Sequence, residues 1–349
     1  MNQKNLTVEQ SKDFWLRLDN AAKIYPAVKD KELTSVFRIS AELKDPIKIK
    51  PFFEAVHAIE ERFPYYKVKL KAGFFWYYLE HYNLPIPVEL DREIPCRAFD
   101  KQELMFRVLV RENKIGVEFS HILTDGTGAF EFLKILLSAY FEKCGLFPPA
   151  DLQVTGPGET LLKEECEDAY KRYFKKLDTG PVKIPGAFHV PFPLKKAPRF
   201  DVLIAVMAVG AVLKKAKEYG VSLTEYLTAV YLLSLQHIYQ RQSLLRKRIN
   251  RKVLRIEIPV NLRRIYPSRT MRNFSLYVLP GIDLRLGLYT FDEIVKIVYH
   301  KMQLETDRKL INKMISRNVS GEKNPFLRGI PLFIKSLFLS KLYTIGTKQ

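Results

Sequence analysis

The sequence predicts a two-domain protein that contains both helices and strands. The chain has 349 residues, which is longer than a single hydrophobic core usually supports. Hydrophobic residues make up 47% of it and aromatic residues 12%, a composition typical of a well-packed interior and not of disorder. Segments of alternating polarity, typical of strands, and segments with helical spacing of apolar residues occur in both halves.

A change of composition marks the boundary between the predicted domains. Residues 151–199 contain a Gly-Pro-Gly sequence, a charged helical stretch and a proline-rich tract, which is typical of a long crossover between domains. The glycines lack the Gly-Lys-Ser/Thr ending of a phosphate-binding loop, so we assign them no nucleotide role. We therefore assign residues 1–150 to an N-terminal domain and residues 200–349 to a C-terminal domain.

The N-terminal half is predicted to contain three strands and a helix before its central motif. A strand is predicted over residues 33–43, and a helix begins at Asp45-Pro46, since Asp caps helices and Pro fits the first turn. Two further strands are predicted over residues 65–70 and 74–80. The second contains Phe-Phe-Trp-Tyr-Tyr, which we interpret as a half-buried strand face, with a wall of a substrate site as the alternative.

The C-terminal half combines predicted helices with two predicted strands. An apolar run over residues 202–213 leads into a helix that ends at Gly220, and Ser222 caps the next helix. The remaining elements are predicted as strands over residues 253–260 and 273–279 and helices over residues 291–314 and 331–343. The last helix carries lysines within an apolar stripe, and we expect it to pack against the second domain. A membrane-surface helix is the alternative.

A hairpin leads into the central motif of the sequence. Residues 104–111 and 115–120 alternate in polarity on either side of a Glu-Asn-Lys turn, which is typical of two paired strands. In the second strand Ile115, Val117 and Phe119 share one face, which we expect to lie in the core.

An amphipathic helix follows this hairpin after a short loop. The loop covers residues 121–128 and the helix covers residues 129–140. Apolar residues recur along the helix at a spacing that places them on one side. The residues that we expect to form its buried stripe are Phe130, Leu133, Leu137 and Tyr140.

The loop between this strand and this helix contains a titratable pair. His121 stands at the end of the strand, and Asp125 follows four residues later. Four extended residues would separate the two by ~13 Å, so they can cooperate only if the chain turns sharply. Gly126 and Gly128 are expected to supply the φ freedom for that turn. We interpret the stretch as a catalytic loop.

The charge of the chain indicates an anionic partner. The net charge is +19, and residues 241–272 contain eleven Lys or Arg but a single acid, Glu257. This balance suits a polyanionic ligand such as coenzyme A, an anionic membrane surface or nucleic acid. A solvated basic face is the alternative. No nucleic-acid-binding motif accompanies the cluster, so we do not expect nucleic acid as the partner.

Cysteine usage and the N-terminal sequence bound the class of protein further. The three cysteines are far apart and form no CxxC pair, which indicates neither a disulfide framework nor a zinc site, and we predict no metal. The first ten residues are polar, and the longest apolar run has twelve residues, short of the ~18 that a membrane span needs. We therefore predict a cytoplasmic protein.

Several stretches together carry a resemblance to a known family. They read RFPYYKVKL then GFFWYY in the first half, SHILTDGTG at the centre, and AKEYGVSLTEYLTAVYLLSL and IPVNLRR followed by RNFSLYV in the second half. On these stretches the chain resembles the chloramphenicol-acetyltransferase-like superfamily. That group includes alcohol O-acetyltransferases, plant BAHD acyltransferases and the condensation domains of peptide synthetases. The chain is most similar to the bacterial alcohol O-acetyltransferase-like branch.

The resemblance implies an α/β fold of two domains, a sandwich with a tunnel between its halves. Acyl-CoA, with acetyl-CoA as the expected donor, would enter as a co-substrate from one face, and a hydroxyl-bearing acceptor, a small molecule or a lipid, from the other. No cofactor would be bound permanently. His121 would be the general base, because a neutral imidazole can accept the proton of the attacking hydroxyl.

The resemblance also assigns supporting roles around His121. Asp125 would be structural and would pair bidentately with Arg263, and Gly126 would allow the turn. Asn273 and Ser275 would line the tunnel, with Ser275 chemically able to donate to an oxyanion.

Two departures from the family pattern keep other functions open. Condensation domains usually carry a second His directly before the motif, and this chain has Ser120 there, which favours O-acyl transfer over peptide-bond formation. Family members usually continue with further strands where this chain ends, and the DFGWG motif of BAHD enzymes does not occur. We therefore expect the second domain to be incomplete. The alternatives are a non-catalytic member of the fold that binds an anionic partner or membrane through its basic surface, and acyl transfer from a carrier protein.

Overall fold

The structure, a computed structural model, divides the chain into two compact units. The first unit comprises residues 1–174, 266–274 and 318–341, and the second comprises residues 175–265, 275–317 and 342–349. The parts of the chain that the structure describes are residues 14–28, 34–92, 96–147, 156, 158–178, 180, 184–192 and 202–347.

The first unit extends past residue 150, where we placed the domain boundary. Glu165 is buried and its carboxylate accepts from Arg62 at 2.7 and 2.8 Å, which ties the segment after the boundary to the first unit. The backbone N–H of Met271 donates to the carbonyl of Glu165 at 2.9 Å, so the segment 266–274 also joins this unit.

Two sheets and several helices form the first unit. A four-stranded sheet has the order β2-β7-β6-β5, in which only β5 is parallel to its neighbour, and a three-stranded antiparallel sheet has the order β1-β4-β3. The elements up to residue 174 are β1 (Trp15–Arg17), α1 (Tyr25–Val28), β2 (Val36–Glu42), α2 (Ile49–Ala58), β3 (Val68–Ala72), β4 (Tyr77–His81), β5 (Val88–Leu90), β6 (Phe106–Arg111), β7 (Lys114–Ser120), α3 (Gly126–Lys143) and α4 (Ala169–Arg172).

The predicted hairpin is confirmed and forms the centre of the four-stranded sheet. Strands β6 and β7 pair with Arg111 opposite Lys114, and Glu112 adopts a positive φ of 49° in the two-residue turn. The expected core face of β7 is buried, but its other face is buried as well. There the Glu118 carboxylate accepts from both Arg38 and Arg107, with separations of 2.6–2.9 Å.

Helix α3 packs on this sheet with a different face from the one we predicted. Phe130 is 52% exposed, so its inclusion in the stripe was wrong, and Leu137 is only half-buried. The helix begins at Gly126, three residues before the predicted start, and it buries Phe132 instead. The ring of Phe132 lies 4.7 Å from Phe63 and 5.3 Å from Phe119, so a cluster of aromatic rings within the core takes up this face of the helix.

The helix predicted to begin at Asp45-Pro46 begins later. Helix α2 starts at Ile49 with Lys48 as the N-cap, whose backbone N–H donates to the Tyr140 hydroxyl at 3.0 Å. The contact with α3 therefore fixes this helix start, and the Asp-Pro signal was overridden by packing.

The second unit contains helices around two small sheets. Strands β9 and β10 pair antiparallel, as do β8 and β11. The remaining elements of the chain are α5 (Val209–Glu218), α6 (Leu223–Gln240), α7 (Leu244–Ile249), β8 (Val253–Arg255), β9 (Ile258–Asn261), β10 (Ser275–Val278), β11 (Gly281–Asp283), α8 (Phe291–Glu305), α9 (Arg308–Lys323), α10 (Pro325–Gly329) and α11 (Leu332–Thr347). Helix α9 runs on into the first unit, to which α10 belongs.

The predictions for the second half are confirmed in part. Ser222 caps α6 in a reciprocal capping box with Glu225. The strand predicted over residues 253–260 is instead two strands, β8 and β9, that belong to different sheets. The apolar residues 202–208 precede α5 without regular structure and are exposed.

The last helix joins the first unit over residues 332–341, so the expectation that it packs against the second domain was wrong for this part. The backbone N–H of Leu332 donates to the carbonyl of Phe74 at 2.9 Å, and Lys335 Nζ donates to the carbonyl of Phe75 at 3.0 Å. Among the described residues, no helix is both long enough and apolar enough to cross a bilayer.

Candidate active site

The imidazole of His121 is held at the end of β7 by backbone pairing and by two aromatic rings. Its backbone N–H donates to the carbonyl of Ser35 at 2.9 Å, which extends the pairing with β2 by one residue. The ring of Tyr25 stacks on it at 5.3 Å between centroids, and the ring of Phe37 lies 4.3 Å away. The side chain is therefore restricted on two sides.

Burial keeps this imidazole neutral. Desolvation lowers the pKa of His121 below its ordinary value of 6.5, and the negative charge of Asp125 opposes that shift without cancelling it. Within the part of the chain that the structure describes, the Nδ1 atom is buried and has no hydrogen-bond partner. A neutral imidazole in this setting can accept a proton at its other nitrogen, Nε2.

The carboxylate of Asp125 is used by the backbone around it. One oxygen accepts from the N–H groups of Thr127 and Gly128 at 3.2 Å each, so that Asp125 is the N-cap of α3. The other oxygen accepts from the N–H of Phe274 at 2.8 Å. These three bonds tie the start of α3 to the segment 266–274.

The same segment fixes the backbone of His121. The side-chain amide of Asn273 donates to the carbonyl of His121 at 2.9 Å and to the carboxylate of Asp19 at 3.1 Å. Asp19 is fully buried, and burial raises its pKa to about 6 although Arg272 lies 3.6 Å away and opposes the shift. A chain of contacts thus runs from a buried carboxylate to the strand end that carries the imidazole.

The two glycines of the motif do not supply positive φ angles, so that expectation was wrong. Both lie in the right-handed first turn of α3, and the described glycines with positive φ are Gly145, Gly220 and Gly287. A Cβ at Gly126 would meet nothing within 4 Å. A Cβ at Gly128 would overlap the Thr124 side chain and a backbone carbonyl, so this position needs glycine for close approach.

The close approach at Gly128 is organised by two buried hydroxyls. Thr124 and Tyr66 donate to the carbonyl of Met271 at 2.6 and 2.7 Å. The Tyr66 ring also packs on Phe119 of β7 at 5.0 Å between centroids. Sheet, loop and the segment 266–274 are therefore joined at one point beneath the motif.

Three of the predicted site residues, His121, Asp125 and Asn273, come together in the first unit. Arg263 and Ser275 lie in the second unit, Arg263 in a short 3₁₀ turn with its backbone N–H donating to Asn261 at 3.0 Å, and Ser275 at the start of β10. The pairing of Arg263 with Asp125 and the tunnel and oxyanion roles of Asn273 and Ser275 stay predictions.

Two described cysteines and the described metal-ligating side chains are the alternatives to His121 as reactive groups. Burial raises the pKa of the Cys166 thiol to about 12 and that of Cys96 to about 11, which leaves both protonated at neutral pH. Among these residues no group of three His, Cys, Asp or Glu side chains could hold a metal ion.

The sequence contained signals for some of the site and none for the rest. The N-cap role of Asp125 was predictable, since an Asp before an apolar helix is an ordinary cap signal. The aromatic rings of Tyr25 and Phe37 and the buried Asp19 carry no local pattern that links them to His121. Their roles follow from tertiary contacts alone.

Solved structures with the same fold were found, although no protein-family model matches the chain and the search of curated proteins gave no match. TRI101 of F. graminearum, complexed with ethyl coenzyme A, has a TM-score of 0.59 at 11% identity, covering 90% of this chain and 80% of that chain. Polyketide synthase associated protein 5 from Mycobacterium tuberculosis has a TM-score of 0.55 at 14% identity, covering 86% of this chain and 75% of that chain. The X-domain from teicoplanin biosynthesis gives 0.51 at 12% identity, with 90% and 75% covered. The predicted α/β fold of two domains is thereby confirmed.

Proposed function

We propose that this chain, which has the fold of the chloramphenicol-acetyltransferase-like superfamily, is a CoA-dependent O-acyltransferase with His121 as its general base. The observation that carries the proposal is a half-buried imidazole with a lowered pKa at a strand end, next to a carboxylate whose oxygens accept from backbone N–H groups. A base must be neutral to accept a proton, and burial provides that state at neutral pH.

The proposed reaction transfers an acyl group directly from donor to acceptor. His121 Nε2 takes the proton of the acceptor hydroxyl while the hydroxyl oxygen forms a bond to the thioester carbonyl carbon. The tetrahedral oxyanion then collapses, the carbon–sulfur bond breaks, and the imidazolium returns its proton to the CoA thiolate. No covalent enzyme intermediate forms. Ser275 is the proposed oxyanion donor.

Asp125 is proposed to position the loop and not to relay protons. Its two oxygens accept three backbone N–H groups, from Thr127, Gly128 and Phe274, which supports a structural role. Arg263 is proposed as a further partner of this carboxylate, as the resemblance implies. A bidentate guanidinium would hold the carboxylate more firmly than a single charge could.

The substrates are proposed at the level of chemical class. Three TRI101 structures contain coenzyme A species, two of them together with T-2, and this supports a CoA thioester donor and a hydroxyl-bearing acceptor here. Acetyl-CoA is the proposed donor, and the proposed acceptors include small-molecule and lipid alcohols. A cytoplasmic location stays a prediction of the sequence.

The test is thiol release from acetyl-CoA in the presence of a panel of alcohols. We expect His121→Ala and His121→Gln to lower the rate by at least ~10²-fold, the usual contribution of a general base. His57→Ala is the matched control, because the His57 side chain is 86% exposed on α2 and should not affect the rate. Equal turnover with and without the imidazole of His121 would contradict the proposal.

A carrier-protein donor is the second candidate. The four-domain peptide synthetase AB3403 shares the fold over 90% of this chain, which supports testing a thioester on a phosphopantetheine arm. Turnover with an acyl-carrier donor and none with free acyl-CoA would favour this candidate. Failure of both donors would favour a non-catalytic role on the same fold.

A further inference from the structure

Large apolar side chains of the first unit are exposed near the start of α11. Phe74 is 71% exposed, Phe333 68% and Leu337 65%, and Trp15 and Phe338 are each more than half exposed. Together these five residues form what we call the apolar face. A folded protein rarely leaves so many large side chains in water unless something covers them.

Backbone and side-chain contacts hold this apolar face together. The N–H of Leu332 donates to the carbonyl of Phe74, which joins α11 to the turn between β3 and β4. Lys335 Nζ lies 3.6 Å above the Trp76 ring in the same turn. Trp15 and Phe74 also line one cavity of 760 Å³. The exposed side chains of Trp15 and Phe74 therefore share one surface, and the start of α11 is bonded to it.

The exposed side of α11 changes from apolar to basic along its length. Phe333, Leu337 and Lys341 are spaced four residues apart, so they follow one another along one side of the helix. Lys341 is exposed and, among the described residues, has no carboxylate partner. A lysine at the end of an apolar side can keep its ammonium at the level of lipid headgroups while the apolar residues lie below it.

The charge around the apolar face is mostly positive, although two acids, Glu80 and Glu322, line the cavity beside it. From Lys323 to Gln349 the sequence contains five Lys or Arg and no Asp or Glu. Arg328 and Lys323 are exposed and have no carboxylate partner within the part of the chain that the structure describes. Two copies of this surface would bring like charges together, whereas phosphate headgroups complement it.

We propose that the apolar face docks on an anionic phospholipid surface. Phe333 and Leu337 enter the boundary between headgroups and acyl chains, and Arg328 and Lys341 contact lipid phosphates. This surface contact is independent of the acyl-transfer chemistry, since the apolar face shares no residue with the His121 site.

Vesicle binding by the full chain tests the proposal. The probes are vesicles of phosphatidylcholine alone and of phosphatidylcholine mixed with phosphatidylglycerol. We expect co-sedimentation with the mixed vesicles that weakens as salt rises. The chain has two tryptophans, and both Trp15 and Trp76 lie at this surface, so their fluorescence should shift to the blue on binding.

Two double variants separate the apolar and the electrostatic parts. Phe333→Ser with Leu337→Ser should lower the partition coefficient roughly tenfold or more, since each loses apolar area that would leave water. Arg328→Glu with Lys341→Glu should lower it by at least about 25-fold on anionic vesicles, the loss that removal of two positive charges alone would cause.

The matched control is Leu244→Ser with Leu245→Ser on α7. These two leucines are 81% and 68% exposed and lie beside a basic run, yet they are outside the apolar face. We expect this variant to bind vesicles as the parent chain does, and circular dichroism should show all variants folded because the replaced side chains are exposed.

Three outcomes would overturn the proposal. One is no partition into anionic vesicles. Another is an equal loss in the Leu244/Leu245 variant and the Phe333/Leu337 variant. The third is a dimer on gel filtration that Phe333→Ser with Leu337→Ser converts to a monomer, since a second copy would then cover the face.

Discussion

At this site, burial shifts the pKa values of individual residues more than neighbouring charges do. The pKa of His121 is lowered because desolvation outweighs the attraction of Asp125. The pKa of Asp19 is raised for the same reason, although Arg272 is close. The two shifts have opposite signs, but both favour the neutral form, because desolvation penalises the charged form of an Asp and of a His alike.

The pH dependence of the proposed acyl transfer should report the lowered pKa of His121. We expect the kcat/KM of acyl transfer to stay constant through neutral pH and to fall only as the pH drops below 6.5, the ordinary value for His. The measurement is a pH–rate profile with saturating acceptor. A fall that is already half complete above pH 6.5 would show that the titrating base is not this imidazole.

The pH dependence of stability should report the raised pKa of Asp19. Its folded-state pKa of about 6 exceeds the ordinary 3.8, so the unfolded chain releases this proton first as pH rises. Stability contributed by the protonated form is therefore lost between these two values, by about 3 kcal/mol at roughly 1.4 kcal/mol per pKa unit.

The comparison that isolates this effect is between the parent chain and Asp19→Asn. Urea unfolding at pH 4 and at pH 7 should show the free energy of unfolding of the parent falling by about 2 kcal/mol relative to the variant, since at pH 4 the unfolded chain has already lost part of this proton. Other carboxylates titrate equally in both proteins and cancel. A gap that does not change with pH would contradict the raised pKa.

At the scale of elements, α3 depends on the packing of its first turn. Its start is fixed by the Asp125 cap and by the close approach of Gly128 to Thr124 and to the carbonyl of Met271. The start of α3 is thus positioned by the cap and by these packing contacts, and not by glycine flexibility in the loop before it.

The two glycines of the first turn should therefore respond differently to alanine. Gly128→Ala overpacks the turn against a backbone carbonyl, and we expect it to lower the free energy of unfolding by about 1–3 kcal/mol. Gly126→Ala meets empty space and should leave stability unchanged or raise it by up to about 1 kcal/mol. Urea unfolding of both variants checks this. If both variants lost the same stability, the backbone conformation of the two glycines, and not the space beside them, would explain the effect.

Elements were predictable from the sequence where the pattern is local. The hairpin β6–β7 and the capping box at Ser222 follow from turn and cap residues a few positions apart. The buried face of α3 was not, because Phe130 and Phe132 are equally apolar. The rings packed around Phe132, among them Phe63 and Phe119, decide between the two. Likewise, no local signal ties Asn273 to His121, since 152 residues separate them.

At the scale of the whole molecule, the net charge of +19 should attract the proposed polyanionic donor. A basic protein raises the encounter rate of an anion over distances that salt screens, with a Debye length of about 10 Å at 0.1 M and about 3 Å at 1 M.

We expect the kcat/KM for acetyl-CoA to fall roughly tenfold between these two salt concentrations. S-acetylpantetheine, which carries the thioester and lacks the phosphates, is the control, and its rate should change little. If kcat/KM fell equally for both donors, salt would be acting on the protein itself and not on the electrostatic attraction of the CoA phosphates.

The segment 266–274 has a consequence for the time at which this protein becomes competent during its own synthesis. Asp125, Thr124 and Tyr66 find their partners in Phe274 and Met271, between 147 and 205 residues further along the chain. At about 5–20 residues per second, the ribosome delivers those partners roughly 7–30 seconds after the motif itself. Until then the nascent chain can carry a finished β6–β7 hairpin but not a finished histidine site.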